Sequence, residues 1–167
     1  MTNKPKKEKM KEEKPRKITA YDILKSLSGG NFNTQSVVEV SEFSPYHSNL
    51  IRLDMFAWQP DKTWGYEIKV TKNDFKTDNK WQTYLNYCDF FYFVAPKGLI
   101  DLEELPEKVG LIEAFWHQNW QENNYLRTEI VRRAKRLEEV SEENKEKVLL
   151  GLIYKMAFNK NILKASL

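Results

Sequence analysis

Three charged residues stand in stretches that otherwise read as buried strand: Asp54 within Leu50 to Trp58, and Glu67 and Lys69 within Trp64 to Val70. A charge in such surroundings is expensive unless it has a partner. Strand alternation puts Glu67 and Lys69 on one face, with Tyr66, Ile68 and Val70 on the other. If the two stretches pair as an antiparallel hairpin through the Pro60-Asp61 turn, Asp54 arrives beside Glu67. Two carboxylates at close range repel each other and raise a pKa unless a cation lies between them. A hard divalent cation resolves this. Mg²⁺ takes one or two carboxylates, keeps several waters and accepts a phosphate oxygen, and Mn²⁺ suits the same oxygen donors. Such an ion lowers the pKa of a bound water and offsets charge on a scissile phosphate. Lys69 beside it would stabilise charge in the transition state. The chemistry indicated is metal-dependent hydrolysis of a phosphodiester. The same spacing also describes an ordinary cross-strand salt bridge on a solvated sheet face, and spacing alone favours that blander account.

The elements that must position these residues can be read in order. Thr19 is an N-cap candidate for a short helix with apolar Tyr21, Leu24 and Leu27, stopped at Gly29-Gly30. Val37, Val38 and Val40 read as a first strand, and Leu50 to Trp58 and Trp64 to Val70 as the second and third. Thr71 with Asp74 forms a capping-box signal for a helix running towards Tyr87, broken near Thr77-Asp78. Trp81, Tyr84, Leu85 and Cys88 give that helix an apolar face. Phe90 to Ala95 is a near-continuous apolar run, the pattern of a strand covered on both faces. After a loop over residues 97–108, Val109 to Phe115 and Tyr125 to Val131 read as strands. Ser141 caps a last helix, with Val148, Leu149, Leu152, Ile153 and Met156 at helical spacing. This order predicts an α/β fold, a mixed β-sheet flanked by helices.

The chain has 167 residues and a formal net charge of +3, enough for one domain with one core. Residues 1–17 hold eight basic and three acidic residues with Pro5 and Pro15. They are expected to be a disordered basic tail that either gathers polyanions or merely solubilises, leaving residues 18–167 as the folded domain. One cysteine, Cys88, excludes an intrachain disulfide. No apolar run reaches the roughly 20 residues of a membrane span, and the N-terminus lacks the pattern of a secretory signal. A cytoplasmic protein is expected, with no membrane partner.

The residues around the charged trio are more specific than its spacing. The block Tyr66-Glu67-Ile68-Lys69-Val70-Thr71-Lys72-Asn73-Asp74-Phe75, then Asp78-Asn79-Lys80-Trp81 through Tyr84-Leu85-Asn86-Tyr87-Cys88-Asp89-Phe90 to Pro96, resembles the MmcB-like DNA-repair family and related phage and bacterial proteins of the PD-(D/E)XK nuclease superfamily. Leu105-Pro106-Glu107-Lys108-Val109-Gly110-Leu111-Ile112-Glu113 and Arg52-Leu53-Asp54 match further segments. The resemblance implies a restriction-endonuclease-like core of helix, three strands, helix and strand. It implies Asp54, Glu67 and the backbone carbonyl of Ile68 as Mg²⁺ ligands and Lys69 as the catalytic lysine. It also implies a DNA endonuclease leaving a 5′-phosphate and a 3′-hydroxyl. Glu39 matches an acidic residue of the first strand, either as a third carboxylate or as a cross-strand partner of Arg52. Lys80 could touch a phosphate, and Gln82 sits where related nucleases place a helix glutamine. The alternative is a non-catalytic module on a nuclease fold that binds nucleic acid or protein.

DNA contacts are expected from the basic cluster Arg127, Arg132, Arg133, Lys135 and Arg136, with Arg132, Arg133 and Lys135 foremost. The other reading of that cluster is a solvated strand end balanced by Glu138 and Glu139. Trp116 and Trp120 are candidates for base stacking. His47 is read as a loop histidine that could approach the site, and Cys88 as a core residue. The final helix could serve a homodimer.

Overall fold

The computed structural model describes residues 16–29, 38–48, 50–118, 123–158 and 161–165. Of the expected basic tail only Arg16 and Lys17 fall within these. Gly30, Val37 and Trp120 also lie outside the described residues. Helix α1 spans Ala20–Gly29. Its first turn is closed reciprocally: Asp22 N–H donates to Thr19 Oγ1 at 3.2 Å, and Thr19 N–H donates to Asp22 Oδ2 at 3.1 Å. Its buried stripe is Ile23 and Leu27, whereas Tyr21 is exposed. Leu27 is buried as expected, while the stripe turns by one residue from Leu24, which is half-buried, to Ile23.

Seven strands follow in one sheet: β1 Val38–Phe43, β2 Leu53–Gln59, β3 Lys62–Ile68, β4 Phe90–Pro96, β5 Gly110–Gln118, β6 Asn124–Arg132 and β7 Ile162–Ala165. Their order is β6-β5-β4-β3-β2-β1-β7. The β3–β4 and β4–β5 pairs are parallel and the other pairs antiparallel, so the sheet is mixed. Between β3 and β4 lie α2 (Lys72–Thr77) and α3 (Trp81–Tyr84), and α4 (Glu142–Ala157) precedes β7. This is the mixed α/β architecture, sheet flanked by helices, that the pattern predicts, and it is consistent with a nuclease-like core. Strand β2 starts at Leu53, three residues later than the alternation suggests, and Leu50 is left exposed. Strand β7 has no counterpart in the sequence pattern. It has four residues, too few to show a period, and forms only by pairing with β1.

The sheet separates two apolar layers. On one face Val40, Phe56, Phe91, Phe93 and Leu111 pack with Tyr84 of α3 and with Val148 and Leu152 of α4. On the other, Met55, Ala57, Tyr66, Ile68, Tyr92 and Val94 pack with Ile23 and Leu27 of α1. Strand β4 is buried from both sides, which is why it reads as an unbroken apolar run. The cap residues act as expected. Thr71 Oγ1 accepts from Asp74 N–H at 3.1 Å to start α2, and Ser141 Oγ accepts from Asn144 N–H at 3.2 Å to start α4. Of the expected stripe on α4, Val148 and Leu152 are buried, while Leu149 and Ile153 are about half exposed. Among the described residues no helix is long and apolar enough to cross a membrane.

Candidate functional site

The β2–β3 hairpin runs in register from Gln59 opposite Lys62 to Met55 opposite Tyr66. One residue further, the same register sets Asp54 opposite Glu67. The two share the face of Phe56, covered by α3 and α4, because paired residues project to the same side. Asp54 Oδ2 accepts a 2.7 Å hydrogen bond from the Ile68 N–H, which fixes the carboxylate at the open end of the hairpin. Lys69 follows β3 directly, its own N–H donating to Val94 O at 2.9 Å. Its ammonium lies 3.0 Å from Glu67 Oε1, 2.6 Å from Asp78 Oδ2 and 3.8 Å from Asp74 Oδ1. Asp54, Glu67 and Lys69 are thus brought together as expected. Asp78 is the member that sequence reasoning missed. The sequence marks it only as the place where the helix breaks, and it does accept from Lys80 N–H at 2.8 Å there. Its second role depends on where α2 ends over the sheet, which no spacing reveals.

The charges do not cancel evenly. Burial would push the Lys69 ammonium down, but hydrogen bonds to Asp78 and Glu67 hold it above its usual range. Asp78 makes the shorter contact; although burial opposes its charge, the Lys69 bond and the Lys80 N–H hold its carboxyl below the ordinary value. Glu67 gains less from Lys69. Burial, and then the Asp54 charge, push it up to about 7. Asp54 is also raised, chiefly by burial, despite the Ile68 N–H. Tyr84, buried beside Glu67 and Asp78, is pushed up to about 12 and keeps its hydroxyl proton. Glu67 Oε2 is buried with no hydrogen-bond partner among the described residues. A buried carboxylate oxygen without a donor needs an explanation.

Asp54 and Glu67 open onto a cleft of about 740 Å³ between the loop after β1 and α4, lined also by Arg52, Lys80 and Tyr84. Lys69 does not line this cleft; it stands behind Glu67, only 5% exposed. Among the described residues no group of three or more His, Cys, Asp or Glu side chains is arranged to hold a metal ion. The donor set is a carboxylate pair. That still fits Mg²⁺, which uses one or two carboxylates and completes its shell with water and phosphate oxygens. The orphaned Glu67 oxygen and the raised Glu67 are the two features such a cation would relieve.

Other expected residues separate. Glu39 is buried but pairs with Ala57, and so points to the α1 face, through the sheet from Asp54. It is neither a third carboxylate of this cleft nor opposite Arg52, since the register places Phe43 against Leu53. Lys80 lines the cleft. Gln82 does not: it is exposed, and its amide, oriented to satisfy both groups, donates to Asn79 O at 3.3 Å and accepts from Trp81 Nε1 at 3.2 Å. Arg132 is occupied by backbone carbonyls, donating to Val109 O at 2.9 Å and Pro106 O at 2.8 Å, with longer contacts to Leu102 O and Leu105 O. Lys135 pairs with Glu107 on the surface. Arg136 reaches Asp89 at 3.2 Å and Asp61 O at 3.2 Å. Of the foremost three, only Arg133 is exposed without such an engagement among the described residues. Trp116 is half-buried, donates to Arg16 O at 2.7 Å and carries the Arg16 guanidinium on its ring. Cys88 is fully buried, as expected of a core residue.

A protein of unknown function from Silicibacter pomeroyi has a similar fold, with a TM-score of 0.64, 23% identity, and coverage of 89% of this chain and 90% of that one. No curated protein matches the chain. The model of the family described as "DNA repair protein MmcB-like" matches residues 31–157, which contain both strands of the hairpin, α2, α3 and α4. With a match over most of its length, the chain belongs to the MmcB-like DNA repair protein family.

Proposed function

We propose that this protein is a divalent-metal-dependent deoxyribonuclease, cleaving DNA phosphodiester bonds in the cleft floored by Asp54 and Glu67. The observation that carries this reading is the pair itself. Two adjacent carboxylates share a face, one with a buried oxygen lacking a partner among the described residues, while the neighbouring lysine gives its shorter contact to Asp78. An arrangement costly to the fold in this way is what a cation-binding catalytic site requires. The family's link to DNA repair supplies the substrate class.

Asp54, Glu67 and the Ile68 carbonyl would hold Mg²⁺ or Mn²⁺, which when bound activates a water and offsets phosphate charge. The chain's own groups do the rest. The Ile68 N–H orients Asp54. Lys69 stays protonated and, from behind Glu67, lends its positive charge to the cleft in which negative charge on the scissile phosphate would build. Arg52 and Lys80, both exposed on the cleft, would take the phosphates on either side. Tyr84 keeps its proton and can donate to an anionic oxygen.

The test is incubation with plasmid, linear and branched DNA in Mg²⁺, in Mn²⁺ and in EDTA. Cleavage should require the metal and should fall on the order of 10³-fold or more in Asp54→Ala and in Glu67→Gln. Metal-dependent binding of DNA without any Asp54-dependent cleavage would replace this reading with that of a non-catalytic binding module.

A further inference from the structure

The wall of the cleft is built differently from its floor. The segment after β1 carries Tyr46 and His47 to the rim, with ring centroids 4.0 Å apart. It is braced rather than loose. Pro45 is fully buried, Tyr46 N–H donates to Lys147 O of α4 at 2.9 Å, and Ser48 N–H donates to Pro45 O at 3.0 Å. The segment lies so close to α4 that a Cβ on Gly151 would stand 2.7 Å from Ser44 O. Only glycine permits this approach. His47 is held at φ 55°, the left-handed region that a non-glycine residue enters at a cost. Despite that bracing, Tyr46 is 42% exposed, and Leu50, which lines the same cleft, 83%. Tyr154 of α4 lines the same cleft. Among the described residues no carboxylate makes an ion pair with Arg52 or Lys80, although Arg52 is near enough to lower the pKa of Asp54.

Exposed rings on a braced backbone at the rim, unpaired cations beside them and adjacent carboxylates below match the parts of a nucleotide. The cations suit the phosphates and the rings suit the face of a base. A base within a duplex has both faces covered and its edge paired, and presenting it to a ring costs unstacking and unpairing, a cost that is smallest for an already single strand. We infer that Tyr46 and His47 form a base-stacking platform that makes this cleft selective for unpaired nucleotides, in single strands, flaps or gaps, over intact duplex. The inference rests on the reading of the cleft as a DNA-cleaving site and names the substrate form that site prefers.

The test uses the full chain carrying Asp54→Asn in Mg²⁺, so that binding is read without turnover, with Glu67→Gln as a second inactive protein should the first fold poorly. The probe is a short oligodeoxynucleotide with one 2-aminopurine, alone or annealed to its complement. Expected are quenching of the free strand on binding and an affinity about 10-fold tighter than for the duplex at equal salt. Tyr46→Ala should weaken single-strand binding about 10-fold, within the range that removal of a stacked aromatic gives. Tyr46→Phe should restore it and Tyr46→Leu should not. Equal affinities for the two forms, or binding and quenching unchanged in Tyr46→Ala, would overturn the inference. Cleavage by the unmodified protein is measured on the same two probes. Asp54-dependent cleavage at equal rates on both, unmoved by Tyr46→Ala, overturns the platform and leaves the nuclease. Tyr46-dependent stacking with no Asp54-dependent cleavage supports the platform and overturns the nuclease.

Discussion

The open end of the β2–β3 hairpin and the basic end of β6 both carry charges on strands, yet the fold treats them in opposite ways. At the hairpin the charges are concentrated. Glu67 and Lys69 are nearly inaccessible, Glu67, Asp78 and Asp74 meet around a single ammonium, and Asp54 is held next to Glu67 by the Ile68 N–H. At β6 they are dispersed: Arg132 turns onto the carbonyls of the 102–109 loop, Lys135 and Arg136 find carboxylates elsewhere, and Arg127 and Arg133 are exposed without such a contact among the described residues. The difference follows from position in the sheet. Strand β3 is internal, flanked by β2 and β4, and a charge there must be matched within the protein. Strand β6 is an edge strand, and its cations can be solvated or used to tie loops. A run of basic residues on an edge is therefore weak grounds for a DNA surface, whereas isolated charges on internal strands are strong grounds for a site.

Breaking the buried centre should produce the largest effect. Lys69→Met leaves Glu67 and Asp78 buried without their cation and should cost about 3–5 kcal/mol of stability, read by chemical denaturation. The matched change at the surface, Lys135→Ala, removes an exposed pair and should cost less than about 0.5 kcal/mol. Comparable losses from the two would mean that the centre is solvated like the surface pair.

A smaller effect separates the two regions by pH. Glu67 is raised from 4.5 to about 7 in the folded chain, so the native state binds its proton more tightly than the unfolded state. The stability linked to this proton is fully present below about pH 4.5 and is lost as pH rises through about 7. In EDTA, unfolding free energy should fall by about 3 kcal/mol over that interval. Glu67→Gln should flatten the slope, and Mn²⁺ should raise stability at pH 8 only where Glu67 is intact.

The β6 end sharpens the comparison from the other side. Arg132→Ala should destabilise by about 1.5–2 kcal/mol through lost charge-assisted hydrogen bonds, without rescue by Arg132→Lys, whose ammonium cannot serve several carbonyls in one plane. DNA affinity per folded molecule should stay the same. A loss of DNA affinity without a loss of stability would return Arg132 to the role expected from its place in the sequence.

Much of the fold follows from local chemistry. Thr19, Thr71 and Ser141 cap helices because a hydroxyl can reach a free N–H two or three residues on, whatever the tertiary context. The apolar run of β4 specifies a doubly covered strand, and alternation alone places Glu67 and Lys69 together. The block following Lys69 marks the family for the same reason: it encodes a strand, a cap and a broken helix in continuous sequence. Alternation, however, offers two faces and does not say which is which. Register decided that Glu39 faces α1 while Asp54 faces the cleft. Packing across long separations decided that Asp78 would take the shorter contact with Lys69, that Arg132 would be occupied, that β7 would form against β1, and that a loop and α4 would close around Asp54 and Glu67. The sequence by itself determined which residues could do chemistry, because periods and caps act within one element. Only the tertiary structure decided how far their charges are compensated, because that depends on neighbours the chain supplies from elsewhere.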